Sequence, residues 1–134
     1  MGYQRMITFE VKEGSNKVEM YLKKTSLFFK NRKYLDNLEQ AGRDGLEALR
    51  QYTPKDTGLT SESWNYEITV SDEGCRITWT NSNVREGWFN VALALQFGHG
   101  TGRGGYVEGV DYINPALRPI FERLSMELWE EVNS

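Results

Sequence analysis

Two neighbouring runs, Trp64-Asn65-Tyr66-Glu67-Ile68-Thr69-Val70 and Cys75-Arg76-Ile77-Thr78-Trp79-Thr80, alternate apolar and polar residues without a break. Successive side chains of a β-strand point to opposite faces, so this period specifies two strands, each burying one face. Ser71-Asp72-Glu73-Gly74 between them reads as a hairpin turn with glycine at its exit. A chain with this centrepiece folds around an antiparallel sheet.

The helical signal comes next. Tyr34, Leu35, Leu38, Gly42, Gly45, Leu46 and Leu49 recur at three- and four-residue steps, while Asp36, Glu39, Arg43, Asp44, Glu47 and Arg50 occupy the remaining positions. Gly42 and Gly45 each cost about 1 kcal/mol against alanine in a helix. Their place beside the apolar stripe implies close packing against a sheet or another helix. Pro54 ends this helix, because the residue before a proline is pushed out of the α region. A last helix is capped by Asn114 and carries Pro115 in its first turn. Leu117, Ile120, Phe121, Leu124, Leu128 and Val132 form its apolar face, with Trp129 at the flank. Glu122, Glu127, Glu130 and Glu131 make the other face acidic.

At the N-terminal end, Met6 to Lys12 alternates like a half-buried strand, and Glu13-Gly14-Ser15-Asn16 is a turn. Ser15 or Asn16, with Glu19 resembling a capping box, suggests a short helix burying Val18, Tyr21, Leu22, Thr25 and Phe28 or Phe29 and ending near Asn31. Asn81 to Asn90 is polar and turn-like apart from Trp88 and Phe89. Val91 to Phe97 alternates like a strand, yet Asn90 as a cap and the Ala/Leu content suit a short helix. Tyr106-Val107 and Val110-Asp111-Tyr112 read as short extended segments. The expected fold is α+β: one domain over residues 1–134, its antiparallel sheet covered on one side by two longer helices, with an N-terminal strand and short helix within 6–31.

Composition excludes several functions. Hydrophobic residues make up 39% of the 134, which excludes a disordered chain. The net charge of −3 argues against electrostatic capture of nucleic acid, and the Lys30-Asn31-Arg32-Lys33 cluster reads as a solvated connecting segment. Cys75, the single cysteine, allows no intrachain disulfide and alternates with Ile77 and Trp79 as a buried small apolar residue. No apolar run is long enough to span a bilayer and no signal-peptide pattern is present, so a soluble protein made in the cytoplasm is expected.

Two stretches are unlike ordinary framework. Residues 95–107 place Gly98, Gly100, Gly102, Gly104 and Gly105 within eight positions. Such density means a mobile loop, a set of special turns, or a backbone approached closely by another group. The spacing does not fit a P-loop, which requires Lys-Ser or Lys-Thr after the last glycine where Tyr106-Val107 stand. The upstream hairpin argues against a dinucleotide-binding βαβ unit. His99 has no local partner to fix its tautomer as a general base. One histidine and one cysteine cannot build a structural zinc site, and no cofactor is implied. The candidate partner-binding residues are Trp88, Phe89, Phe97, Gly98, His99, Gly100, Thr101, Gly102, Arg103, Gly104, Gly105 and Tyr106. At least two of the four aromatics among them are expected in the core on burial statistics. The second stretch, Thr53-Pro54-Lys55-Asp56-Thr57-Gly58-Leu59, reads as a stiff connector. Pro54 fixes a turn, Asp56 or Thr57 bonds back to nearby amides, and Gly58 permits a positive φ.

Together these stretches resemble a family of tailed-phage proteins described as tail components, minor capsid proteins or head–tail joining proteins, the neck or tail-completion proteins of siphophages. The resemblance rests on the long helix, Pro54-Lys55-Asp56-Thr57-Gly58-Leu59, the hairpin from Trp64 to Thr80, Phe97-Gly98-His99-Gly100-Thr101, and Asn114-Pro115-Ala116-Leu117-Arg118-Pro119 in that order. It spans roughly residues 34–132. The N-terminal strand and first helix carry none of it. The resemblance implies a structural virion protein without enzymatic activity. It also implies self-association in a ring and contact with a connector or stopper, a tail terminator and a tail tube; from charge and composition, no specific nucleic-acid binding and no membrane partner are expected. An acidic last helix lining a DNA conduit would keep the genome sliding. Two other readings stand beside it: a small hydrolase using His99 with Asp111 and the glycine-rich loop, and an interaction module unrelated to phage.

Overall fold

The alternating pair forms the hairpin it specifies. In a computed structural model that describes residues 7–11, 17–23, 33–55, 58–71 and 73–132, strand β3 (Trp64–Ser71) runs antiparallel to β4 (Gly74–Asn81) in unbroken register from Trp64 opposite Asn81 to Ser71 opposite Gly74. Two N-terminal strands, β1 (Ile7–Val11) and β2 (Lys17–Lys23), complete a four-stranded antiparallel sheet in the order β1-β2-β4-β3.

The strand β2 corrects the helix expected after Asn16. Val18 and Leu22 are four apart and so satisfy a helix, but with Met20 between them they satisfy period two equally well. Pairing with β4 along all seven residues decides for the strand. Val18, Met20 and Leu22 are fully buried, and Tyr21 turns to the other face, where its hydroxyl donates to the Glu73 carbonyl at 3.1 Å and Arg76 lies over its ring. Glu19, expected in a capping box, sits on that outer face against Lys17 and Arg76. The proposed turn at 13–16, Thr25, Phe28, Phe29 and residues 30–32 of the basic cluster lie outside the described residues.

Both long helices pack on the inner face of the sheet. Helix α1 (Lys33–Tyr52) buries Tyr34, Leu38, Ala41, Gly42, Gly45 and Leu49. Helix α4 (Ile113–Val132) buries Ile113, Ala116, Leu117, Ile120, Leu124 and Leu128. The inner sheet rows follow from the register: Phe9, Met20, Ile77 and Ile68 form one, and Val11, Val18, Trp79 and Tyr66 the next. The outer face is polar and solvated, as expected for an antiparallel sheet covered on one side. The fold is therefore α+β with two twenty-residue helices on one face of the sheet.

The two helix glycines have a physical reason. A Cβ on Gly45 would lie 2.5 Å from the Trp79 ring, and one on Gly42 would lie 2.6 Å from the Tyr66 ring. The Trp79 indole N–H donates to the Gly42 carbonyl at 3.1 Å. The helix thus rests directly on two aromatic rings.

The connector after α1 is tied to the helix and to the sheet by side-chain hydrogen bonds. Thr53 Oγ1 accepts from the Trp64 indole at 2.8 Å and donates to the Leu49 carbonyl. Gly58 has φ 87° and opens a four-residue helix, α2 (Leu59–Glu62), which no sequence pattern announced. Asn81 Nδ2 donates to the Thr60 carbonyl at 2.8 Å and Asn83 Nδ2 to Thr60 Oγ1 at 2.9 Å, which locks the connector to the hairpin exit. Asp56 and Thr57 lie outside the described residues.

Candidate functional site

Two small hairpins stand between β4 and α4. The first, β5 (Val84–Arg85) with β6 (Phe89–Asn90), turns through Glu86 at φ 58° and Gly87 at φ 78°. Positive φ at both central residues suits the right-handed twist of a short hairpin. Asn90 then caps α3 (Val91–Phe97) by accepting from the Leu93 amide at 3.2 Å, so the ambiguous segment is helical. The local cap supplies what alternation alone left open.

The glycine-rich stretch is the second hairpin. Strand β7 (Gly98–Gly100) pairs with β8 (Tyr106–Glu108), placing His99 opposite Val107 and Gly100 opposite Tyr106. Its tip is held by Thr101. The Thr101 amide donates to the Gly105 carbonyl at 3.0 Å, and Thr101 Oγ1 accepts from the amides of Arg103 and Gly105. Gly102 and Gly104 take the positive φ the tip requires. At its base, Gly98 (φ 87°) leaves no room for a side chain: a Cβ would lie 2.6 Å from the Tyr106 hydroxyl and 2.7 Å from the Val107 carbonyl. Of the three meanings of such glycine density, special turns and close backbone approach are realised here. The extended segment expected at 110–112 is not a strand; Val110 instead donates its amide to the Leu95 carbonyl at 2.9 Å.

The two hairpins meet through aromatic rings. Trp88 packs edge-to-face on Phe89 at 5.7 Å, and Phe89 packs edge-to-face on His99 at 5.2 Å. Trp88 is 73% exposed and Tyr106 64%. Phe97 packs against the core, while Phe89 is half-buried beneath Trp88 and outside the buried core. None of the four candidate aromatics is thus a buried core residue, where at least two are expected; Phe97 comes nearest, half-buried against the core. Val84, Val107 and Val110 are also exposed on these segments. Sequence reading passed over them because a lone valine in a short extended run carries no signal of exposure.

His99 Nδ1 lies 3.0 Å from the Gly100 carbonyl, an acceptor to which an Nδ1–H can donate. Among the described residues its ring makes no hydrogen bond to a carboxylate. Asp111, its proposed partner in a hydrolase, is engaged elsewhere: Asp111 Oδ1 accepts from Gln96 Nε2 at 2.7 Å and from Asn114 Nδ2 at 2.9 Å. These bonds, the one from Gln96 foremost, hold the Asp111 carboxyl below the usual carboxylate range. Among the described residues no group of three or more His, Cys, Asp or Glu could hold a metal ion. Cys75 is buried, and burial pushes its thiol up.

The sequence reading missed Gln96. Its Oε1 accepts from the amides of Tyr112 at 3.0 Å and Ile113 at 2.9 Å, two of the free N–H groups at the start of α4. Asn114, expected as the cap, lies inside the helix and bonds back to Asp111. Tyr112 is buried, which pushes its phenol up, and its hydroxyl donates to the Ala92 carbonyl at 2.6 Å. The hairpins are therefore tied to the last helix through α3. Arg123 interrupts the acidic face of α4, pairing with Asp44 at 2.6 Å and reaching Glu127 at 4.0 Å.

No protein-family model matches the chain, and no curated protein and no solved structure shows significant similarity to it.

Proposed function

We propose that the chain is a structural protein of a tailed-phage virion, acting at the head–tail junction by protein–protein assembly without turnover. One observation carries the reading: two adjoining hairpins, each braced by backbone bonds, present Trp88 and Tyr106 largely to solvent. Aromatic side chains on a preordered support bind with little loss of conformational freedom, which is how interface anchors work. The ordered set of motifs from the Pro54 connector to the Pro115 helix entry supports the phage assignment. The hydrolase reading gains no support from His99, whose ring lies against Phe89 and the Gly100 carbonyl rather than beside an acid.

The test is the double variant Trp88→Ala, Tyr106→Ala in the phage that encodes the chain. Both side chains are exposed, so the purified variant should keep its melting temperature within a few degrees. Electron microscopy of lysates should show full heads and tails that fail to join. Normal virions from this variant would overturn the proposal.

A further inference from the structure

Among the described residues the sheet ends on one side at β3, which leaves that strand's outer edge unpaired. Among the described residues no other strand pairs with that edge, and none hydrogen bonds its outward backbone groups. Natural edge strands are usually blunted by lysine, proline or a bulge. Trp64 to Ser71 has no lysine or proline, and its register with β4 runs without a bulge. Val70, on the apolar side of this strand, is 53% exposed.

We infer that this edge pairs with the same edge of a second copy, joining two four-stranded sheets into one across a twofold axis through Ile68. The sequence of the strand selects the occupant. Antiparallel self-pairing centred on Ile68 places Ile68 against Ile68 and Tyr66 against Val70 on the apolar side. On the polar side it places Glu67 against Thr69 and Asn65 against Ser71. No like charges face each other. The two-residue turn to Gly74 sets which backbone groups bond to β4 and leaves those of Tyr66, Ile68 and Val70 pointing outward, so this register matches donors with acceptors. The neighbouring register of the same parity, centred on Glu67, sets Glu67 against Glu67 and is disfavoured. A twofold contact of this kind uses one patch twice. It is independent of the aromatic hairpins and of the phage reading.

The experiment is sedimentation of the purified full chain over a wide concentration range, with charge variants. The wild type should approach twice the 15.5 kDa chain mass as concentration rises. Thr69→Glu sets a second carboxylate against Glu67 twice per dimer and should weaken association by about tenfold. It should leave the monomer intact, since Thr69 is exposed and its cross-strand neighbour on β4 is Arg76. Adding Glu67→Lys to Thr69→Glu makes both contacts attractive and should restore the dimer. A wild type that stays monomeric, association that ignores Thr69→Glu, or a double variant without rescue would each overturn the inference.

Discussion

Gln96→Leu is expected to cost the fold about 3–5 kcal/mol, although leucine matches glutamine closely in size. Gln96 is buried, and its amide oxygen is the hydrogen-bond acceptor for two amides at the start of α4. Leucine leaves both N–H groups buried without a partner, at about 1–3 kcal/mol each. It also removes the donor to Asp111. Against a total stability of roughly 5–15 kcal/mol for a domain, this is a large share. A urea denaturation midpoint falling in proportion, with an unchanged slope, would bear this out. A change below about 1 kcal/mol would show that these bonds are not made.

The same network predicts an acid response. The folded pKa of Asp111 is depressed, so its contribution to stability is fully present above its unfolded value near about 3.9 and is lost as pH falls through the folded value. Gln96→Leu should flatten that part of the pH profile in part, because the foremost of the bonds that depress the carboxyl is gone while those from Asn114 remain.

Gly45→Ala is the second large effect, and its sign runs against helix propensity. Alanine is the better helix former by about 1 kcal/mol. Its methyl, however, would lie 2.5 Å from the Trp79 ring, which is fully buried and held by its bond to the Gly42 carbonyl. Neither ring nor helix can give way without disturbing the other. Overpacking against a rigid buried ring falls at the upper end of the about 1–3 kcal/mol such insertions cost and outweighs the propensity gain, leaving a net loss of up to about 2 kcal/mol. A melting temperature at or above that of the wild type would refute this account of how α1 meets the sheet.

Much of this architecture is legible in the sequence where periodicity has enough residues to speak. The β3–β4 hairpin, α1 and α4 each carry an unbroken apolar pattern, and tertiary packing agrees with it. Where the pattern is short, two periods coincide. Val18 and Leu22 fit both, and only pairing with β4 settles them as strand. Val91 to Phe97 is ambiguous for the same reason, and the Asn90 side chain closing on the Leu93 amide decides it. The glycine hairpin offers no side-chain period to read, so its pairing of His99 with Val107 has no local signature. The cap of α4 is invisible for another reason: its acceptor, Gln96, lies on a different helix, whereas sequence rules for caps look only next door. In the candidate site, the aromatic residues are identifiable by type. Which of them point outward depends on contacts between segments, and those contacts place Phe97 against the core and leave Trp88 and Tyr106 exposed.

The most direct test of the proposed virion role is a single-particle reconstruction of tailed-phage particles from lysates in which this chain is expressed. The expected result is density for the chain between head and tail, with Trp88 and Tyr106 buried against a neighbouring subunit. Particles that lack the chain, or that carry it with both rings facing solvent, would contradict the proposal that it works by being held in an assembly.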